Sequence, residues 1–186
     1  GIDPSNGKEL FYAKDGSYTY DFSYDDEVIC GNTRPDVEGV IGSSLNWKGF
    51  SVSLNFRYQM GADVFNEALY SKVENISRSD LNKNQDKRAL YERWQEEGDI
   101  VRFKNIASAE TTPMSSRFVQ EENVLTLESV YLGYEFYDGW IKKLGLSSLK
   151  FQVSMRDVFR ASTIRSERGI SYPFARSMEA GLSFNF

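Results

Sequence analysis

The chain has 186 residues, 40% hydrophobic and 26% charged, which suits one domain and is too apolar for disorder. Its net charge of −5 with no basic patch argues against nucleic acid as a partner. It contains no His, which excludes a His-based triad or a His-ligated metal within the chain, and its single Cys, Cys30, cannot form an internal disulfide.

Residues 1–36 are turn-rich and acidic. Asp3-Pro4-Ser5-Asn6-Gly7 is turn chemistry. Leu10 to Ala13 and Tyr18 to Phe22 flank Lys14-Asp15-Gly16-Ser17, which predicts a small hairpin. The run Tyr24-Asp25-Asp26-Glu27 matches no defensible calcium-ligand spacing and reads as a solvated loop.

The first strong hairpin follows. Ile41, Ser43, Leu45 and Trp47 alternate with Gly42, Ser44 and Asn46, and Lys48-Gly49 is a two-residue connection. Phe50, Val52, Leu54, Phe56, Tyr58 and Met60 then alternate with Ser51, Ser53, Asn55, Arg57 and Gln59. Successive strand side chains point to opposite faces, so this strand is apolar on one side and polar on the other. At about 9–11 residues such a strand crosses a membrane when tilted. No run of 18 apolar residues exists, but alternating barrel strands do not produce one.

Residues 61–123 form a long connection. The spacing of Leu81, Leu90, Tyr91 and Trp94 predicts a helix over much of 80–94, with Gly98 as its stop. Val124 to Phe136 predicts the third strand. Its apolar phase switches at Glu128-Ser129, which predicts a β-bulge there. Ser148 to Phe159 predicts the fourth, with Leu149, Phe151, Val153 and Met155 opposite Lys150, Gln152, Ser154 and Arg156. Residues 160–175 are polar. The chain closes on residues 176–186, where Met178, Ala180, Leu182, Phe184 and Phe186 share one face. A sandwich edge strand would also read this way. All four prolines fall outside the five predicted strands.

Five groups of residues then resemble one family. Ser115-Ser116-Arg117-Phe118-Val119 followed by Val124 to Tyr134 resembles the penultimate hairpin of SusC/RagA-type TonB-dependent transporters. Leu144 to Lys150 with Arg156-Asp157-Val158-Phe159 is similar to that family's next turn and strand, although the family often has Asn-Leu at 157–158 and Arg at Thr126. Tyr172 to Arg176, leading to Phe186, resembles its closing signature. Tyr91-Glu92-Arg93-Trp94 stands where the family has an Arg-Trp pair in a long outer loop, and Gly1 to Gly7 resembles a further extracellular segment.

The resemblance implies an all-β fold: about five C-terminal strands of a large transmembrane β-barrel, antiparallel, with long extracellular loops and one short loop helix. It implies residues 1–36 as an extracellular loop segment and 37–186 as barrel strands, with 61–123 as the long extracellular loop. The implied function is import of oligosaccharides or peptides across a Bacteroidetes-like Gram-negative outer membrane. The implied partners are a SusD-like surface lipoprotein, outer-membrane lipid, and the TonB complex through parts of the full-length protein absent here. Large transporters of this kind have 22 strands, so the chain is expected to be a C-terminal piece.

The alternative reading is a structural barrel anchor or porin-like wall without active transport. An enzyme is not expected: there is no His, no nucleophile elbow and no metal-ligand cluster, and Glu96-Glu97 and Glu121-Glu122 read as loop-surface charges. No cofactor, metal or catalytic residue is expected, and no substrate-binding residue is named. Tyr24, Tyr70, Trp94 and Tyr172 have the chemistry to stack on sugars, but packing of their own loops is the preferred reading. Phe50, Val52, Leu54, Phe56, Leu149, Phe151, Val153, Met155, Leu182 and Phe184 are expected on one sheet face, and Arg57, Lys150, Arg156 and Glu179 on the other. The connections at 48–49 and 138–147 are expected at one end with Phe186, the periplasmic end.

Overall fold

The structure is a computed structural model and describes residues 1–108, 110–164 and 176–186. The chain forms two compact units: Gly1–Asn32 with Asp63–Gln120, and Thr33–Ala62 with Glu121–Phe186.

The second unit holds an antiparallel five-stranded sheet in sequence order. Its strands are β3 (Val37–Trp47), β4 (Phe50–Phe65), β5 (Val119–Phe136), β6 (Ser148–Ser162) and β7 (Ser177–Asn185). β4 and β5 run on at their far ends into the first unit's residues. The hairpin pairing agrees with the alternation, because Ile41, Leu45 and Trp47 of β3 face Phe56, Val52 and Phe50 of β4, while Val40 falls in the other phase opposite Arg57. Lys48 and Gly49 both have left-handed backbone, φ 47 and 87, as a two-residue turn matched to strand twist requires. A Cβ on Gly49 would lie 2.5 Å from the Glu135 carbonyl oxygen, so β5 can approach only a glycine there.

Three strands are longer than their alternation predicts. β4 continues past Met60 to Phe65, β5 begins at Val119, and β6 reaches Ser162. Gly61 reads as a strand end, yet β4 passes through it with φ 79 while its amide bonds the Asn123 side chain at 2.9 Å. Asn66 N then donates to the Phe118 carbonyl at 2.7 Å.

The bulge lies opposite its expected position. Pairing shifts between Leu127 and Ser129, at the expected place along the ladder. However, β5 advances two residues there while β6 advances three, from Arg156 to Phe159. The extra residue is therefore in β6, where Asp157 adopts φ 51, a conformation that Asp and Asn tolerate best among non-glycine residues. Leu127 pairs with Phe159 and Leu125 with Ala161, so the phase switch in β5 is met by apolar residues on its neighbour.

The turn at 48–49, the 137–147 connection and the end of β7 share one end of the sheet. Glu135 N donates to Gly49 O at 2.9 Å, and Ser147 N to Asn185 O at 2.7 Å. A short helix, α2 (Trp140–Lys143), sits in that connection.

The first unit holds the hairpin of β1 (Phe11–Tyr12) and β2 (Tyr18–Thr19), closed by Ala13 N on Ser17 O. The helix expected over 80–94 is reduced to one turn, α1 (Arg88–Tyr91). Upstream, Asp80, Ser77 and Gln85 bond local backbone and side chains instead, the competition that favours turns over helix in such sequences. Downstream, Trp94 N leaves the helical pattern to bond Phe103 O at 3.0 Å. A π-helical turn, Leu69–Glu74, was not expected; it places Leu69, Tyr70 and Val73 on the unit's core with Ala89, Phe103 and Phe118.

Candidate functional site

The sheet is built inside out. Register puts Phe50, Val52, Leu54 and Phe56 on the same face as Ile41 and Leu45. Leu149, Phe151, Val153 and Met155 pair with Phe136, Tyr134, Leu132 and Val130, and with Phe184, Leu182, Ala180 and Met178. The rings of Phe50 and Tyr134, 4.4 Å apart, join the two sets. This face is apolar yet uncovered: Leu45 is 64% exposed, Leu182 60% and Met178 69%. Of the buried hydrophobic residues described, the strands β3–β7 supply only Ala62, Val124 and Leu127. An uncovered apolar surface of this extent does not persist against water, whereas lipid covers it at no cost.

The opposite face carries Arg57, Lys150, Arg156 and Glu179, as expected. Its polar groups are linked across strands. Asn55 donates to Ser129 at 2.9 Å, Tyr131 to Gln152 at 3.2 Å, Ser148 to Glu135 at 2.8 Å and Asn185 to Ser148 at 2.8 Å. Arg57 pairs with Glu128 at 2.5 Å. At the turn end, Phe136 packs on Tyr134 and Trp140, and the Lys48 ammonium lies 5.1 Å from the Trp47 ring centre. Such an aromatic belt marks a membrane interface.

The first unit has an ordinary interior around an ionic centre. The Glu74 side chain is wholly buried. Its carboxylate accepts from Arg117 at 2.7 Å, Thr112 at 3.0 Å and the Lys104 amide at 3.3 Å. Arg117 also donates to Glu9 at 2.7 Å, so one guanidinium bridges two carboxylates. Burial nevertheless holds the Glu9 carboxyl above the usual range, against the pull of Arg117. Burial lowers the Lys104 ammonium and the Arg93 guanidinium. Arg93 spends its donors on the carbonyls of Val73, Glu74, Ala89 and Lys104, tying three segments together.

The loop aromatics divide. Tyr70 packs on Phe65 and Phe118, with ring centres 5.4 and 5.3 Å away. Trp94 lies against Gly7 and donates to Pro4 O at 2.9 Å. Tyr24 is 78% exposed, with its ring edge on Phe22. Tyr172 and the rest of the closing signature up to residue 175 lie outside the described residues, and Arg176 is described. The Tyr24–Asp26 segment is a single 3-10 turn capped by Ser23. Glu122 is not a plain surface charge: it accepts from Arg160 at 3.0 Å and Ser162 at 2.7 Å, with its side chain 14% exposed.

A groove of about 580 Å³ opens within the first unit, beside the β1–β2 hairpin and the Met114–Arg117 segment. Neither alternation nor spacing signals it, because its walls come from residues 1–30 and 65–119.

No protein-family model matches the chain. In sequence it is 24% identical to the TonB-dependent receptor P39 of Formosa agariphila over 157 residues, covering 82% of this chain and 15% of that protein. It is 23% identical to the TonB-dependent receptor P3 of the same organism, covering 99% of this chain and 19% of that protein. In structure it superposes on the RagAB peptide importer in its open-open state with a TM-score of 0.76 at 20% identity, covering all of this chain and 21% of that one. The closed-closed state gives 0.74. The chain thus spans about a fifth or less of the length of these relatives, and shares the fold of the matching importer segment.

Proposed function

We propose that this chain is a β-barrel segment of a SusC/RagA-type TonB-dependent transporter and forms part of the outer-membrane wall and extracellular surface of an importer of glycans or peptides. The observation that carries this is the sheet with one uncovered apolar face and one linked polar face. The apolar face meets lipid and the polar face meets a wet lumen or plug. The turn end with Trp47 and Trp140 is periplasmic. Residues 1–36 and 61–123 are extracellular loop, and energy reaches the full-length protein through TonB. The resemblance to SusC/RagA-type transporters makes a SusD-like surface lipoprotein the expected partner, and the fold-matching structures are of the RagAB peptide importer. A Bacteroidetes-like outer membrane is the expected setting.

The test is uptake of labelled glycan or peptide by cells carrying or lacking the full-length transporter, with and without TonB. The reading requires uptake to need both. Uptake indifferent to TonB would point to a porin-like wall. Co-purification of a surface lipoprotein with the full-length protein tests the partner.

A further inference from the structure

We propose that the groove in the first unit binds a short peptide that carries cationic and apolar side chains. Its apolar lining includes Phe11, Phe22, Phe65 and Met114. Met114 is 59% exposed, so this apolar wall is open to a ligand. The charge around it is one-sided. Residues 9–28 hold Glu9, Asp15, Asp21, Asp25, Asp26 and Glu27 against the single Lys14. Of these acids, Glu9, Asp21, Asp26 and Glu27 line the groove.

The one cationic side chain on the lining, Arg117, cannot balance them. Its Nη atoms are committed to Glu9, Glu74 and the Arg102 carbonyl. Asp21 and Glu27 are exposed at the rim. An ammonium or guanidinium meeting these carboxylates beside apolar walls is therefore electrostatically matched. Two donors on the same lining, Ser115 Oγ and Arg117 Nε, are buried without partners. Buried unpaired donors are costly, and a peptide backbone brings acceptors to that wall. A metal ion fits less well, since no metal-holding group of acidic or Cys side chains exists among the described residues. The groove itself argues for the binding; only the peptide's role as cargo rests on the importer reading.

The test uses the full-length transporter in detergent and a fluorescein-labelled Lys-Leu-Lys-Leu-Lys-Leu probe, with Glu-Leu-Glu-Leu-Glu-Leu as its counterpart. Fluorescence anisotropy should show the basic probe bound and the acidic one at least about tenfold weaker. The double variant Asp21→Asn/Glu27→Gln should weaken the basic probe about tenfold, the expected sum for two rim carboxylates. Met114→Lys, at an exposed position, should weaken it at least as much. Equal binding by wild type and both variants would place the peptide elsewhere and overturn the site. No binding to wild type would also overturn it, including where another part of the polypeptide fills the groove. Neither result touches the importer reading, which falls only if cellular uptake ignores TonB.

Discussion

Gly7 lies flat against Trp94: with φ 68, a Cβ at this position would come within 2.5 Å of the indole ring. The same indole donates to Pro4 O, and Gly98 N donates to that oxygen at 2.9 Å. Two stretches more than eighty residues apart in sequence are thereby locked together. Gly7→Ala should combine a left-handed strain of roughly 1–2 kcal/mol with a ring clash. Trp94→Phe should lose about 1 kcal/mol with its hydrogen bond. In the full-length protein on intact cells, both variants should speed protease cleavage within residues 1–32, Gly7→Ala more. An unchanged cleavage rate in Gly7→Ala would refute the lock.

The two arginine pairs should differ sharply. Arg117→Ala strands the buried Glu74 charge and should cost about 3–5 kcal/mol. Arg57→Ala removes a pair whose side chains are 47% and 34% exposed, and should cost about 0–1 kcal/mol. Hydrogen exchange over residues 66–118 of the full-length protein should reveal the first loss and miss the second. Comparable protection in the two variants would contradict the account of the ionic centre.

Acidification should act on Glu9 in a definite direction. Its folded pKa is raised, so ionisation costs the native state more than the unfolded one. The Glu9 term is absent below its unfolded value of about 4.5 and grows unfavourable as pH rises through the raised native value. Asp3, lowered by its hydrogen bond from Tyr20, works the other way and loses stabilisation in acid. Glu9→Gln should remove the Glu9 titration, along with the charge it presents to Arg117. Exchange protection in the wild type, corrected for intrinsic rates, should therefore gain on Glu9→Gln as pH falls from 7 to 4.5. A variant with an identical pH profile would show that the carboxyl is not perturbed.

Facing predicts an asymmetry between adjacent positions. Phe151→Arg puts a charge on the apolar face and should cost roughly 2–4 kcal/mol at mid-membrane. Gln152→Arg, one residue on, puts it on the polar face and should be tolerated. Surface abundance and heat-modifiable gel mobility of the full-length protein report the difference; equal tolerance would mean that lipid does not cover the Phe151 face.

The sheet order leaves β3 and β7 each with one unpaired edge within this chain. Unpaired backbone groups in hydrocarbon cost several kcal/mol each, so residues 1–186 expressed alone should aggregate or await further strands. A heat-resistant, detergent-solubilised monomer of this segment with closed edges would disprove it.

Strand identity was legible because only an extended backbone sorts a long apolar-polar alternation onto two faces: the alternating residues Ile41 to Trp47 pair in register with Phe56 to Phe50. The β6 bulge was harder to locate. The phase break shows in β5, while its cause is the extra residue beside Asp157; a lone Asp inside a strand was the overlooked signal. Residues 80–94 misled because weak helical spacing competes poorly with turn-forming Asp, Asn and Ser side chains. The ionic centre and the groove were illegible for another reason. Glu9, Glu74 and Arg117 look like surface charges until long-range packing buries them together.

The bridging of Glu9 and Glu74 by Arg117 also sets an order of events. Glu9 and Arg117 are separated by 108 positions, and Trp94 and Pro4 by 90, whereas the β3–β4 turn needs only two residues. Hairpins of that kind close in about 1–10 μs, while contacts between distant positions wait for the intervening chain. As the polypeptide is delivered from its N-terminal side, residues 1–32 precede Trp94 and Arg117, the partners that hold them, by about sixty residues or more. Through that interval Glu9 lacks its guanidinium and Gly7 its covering indole. Residues 1–32 therefore wait on Trp94 and Arg117 for their long-range contacts, and delay there leaves them open to proteases and to misassociation.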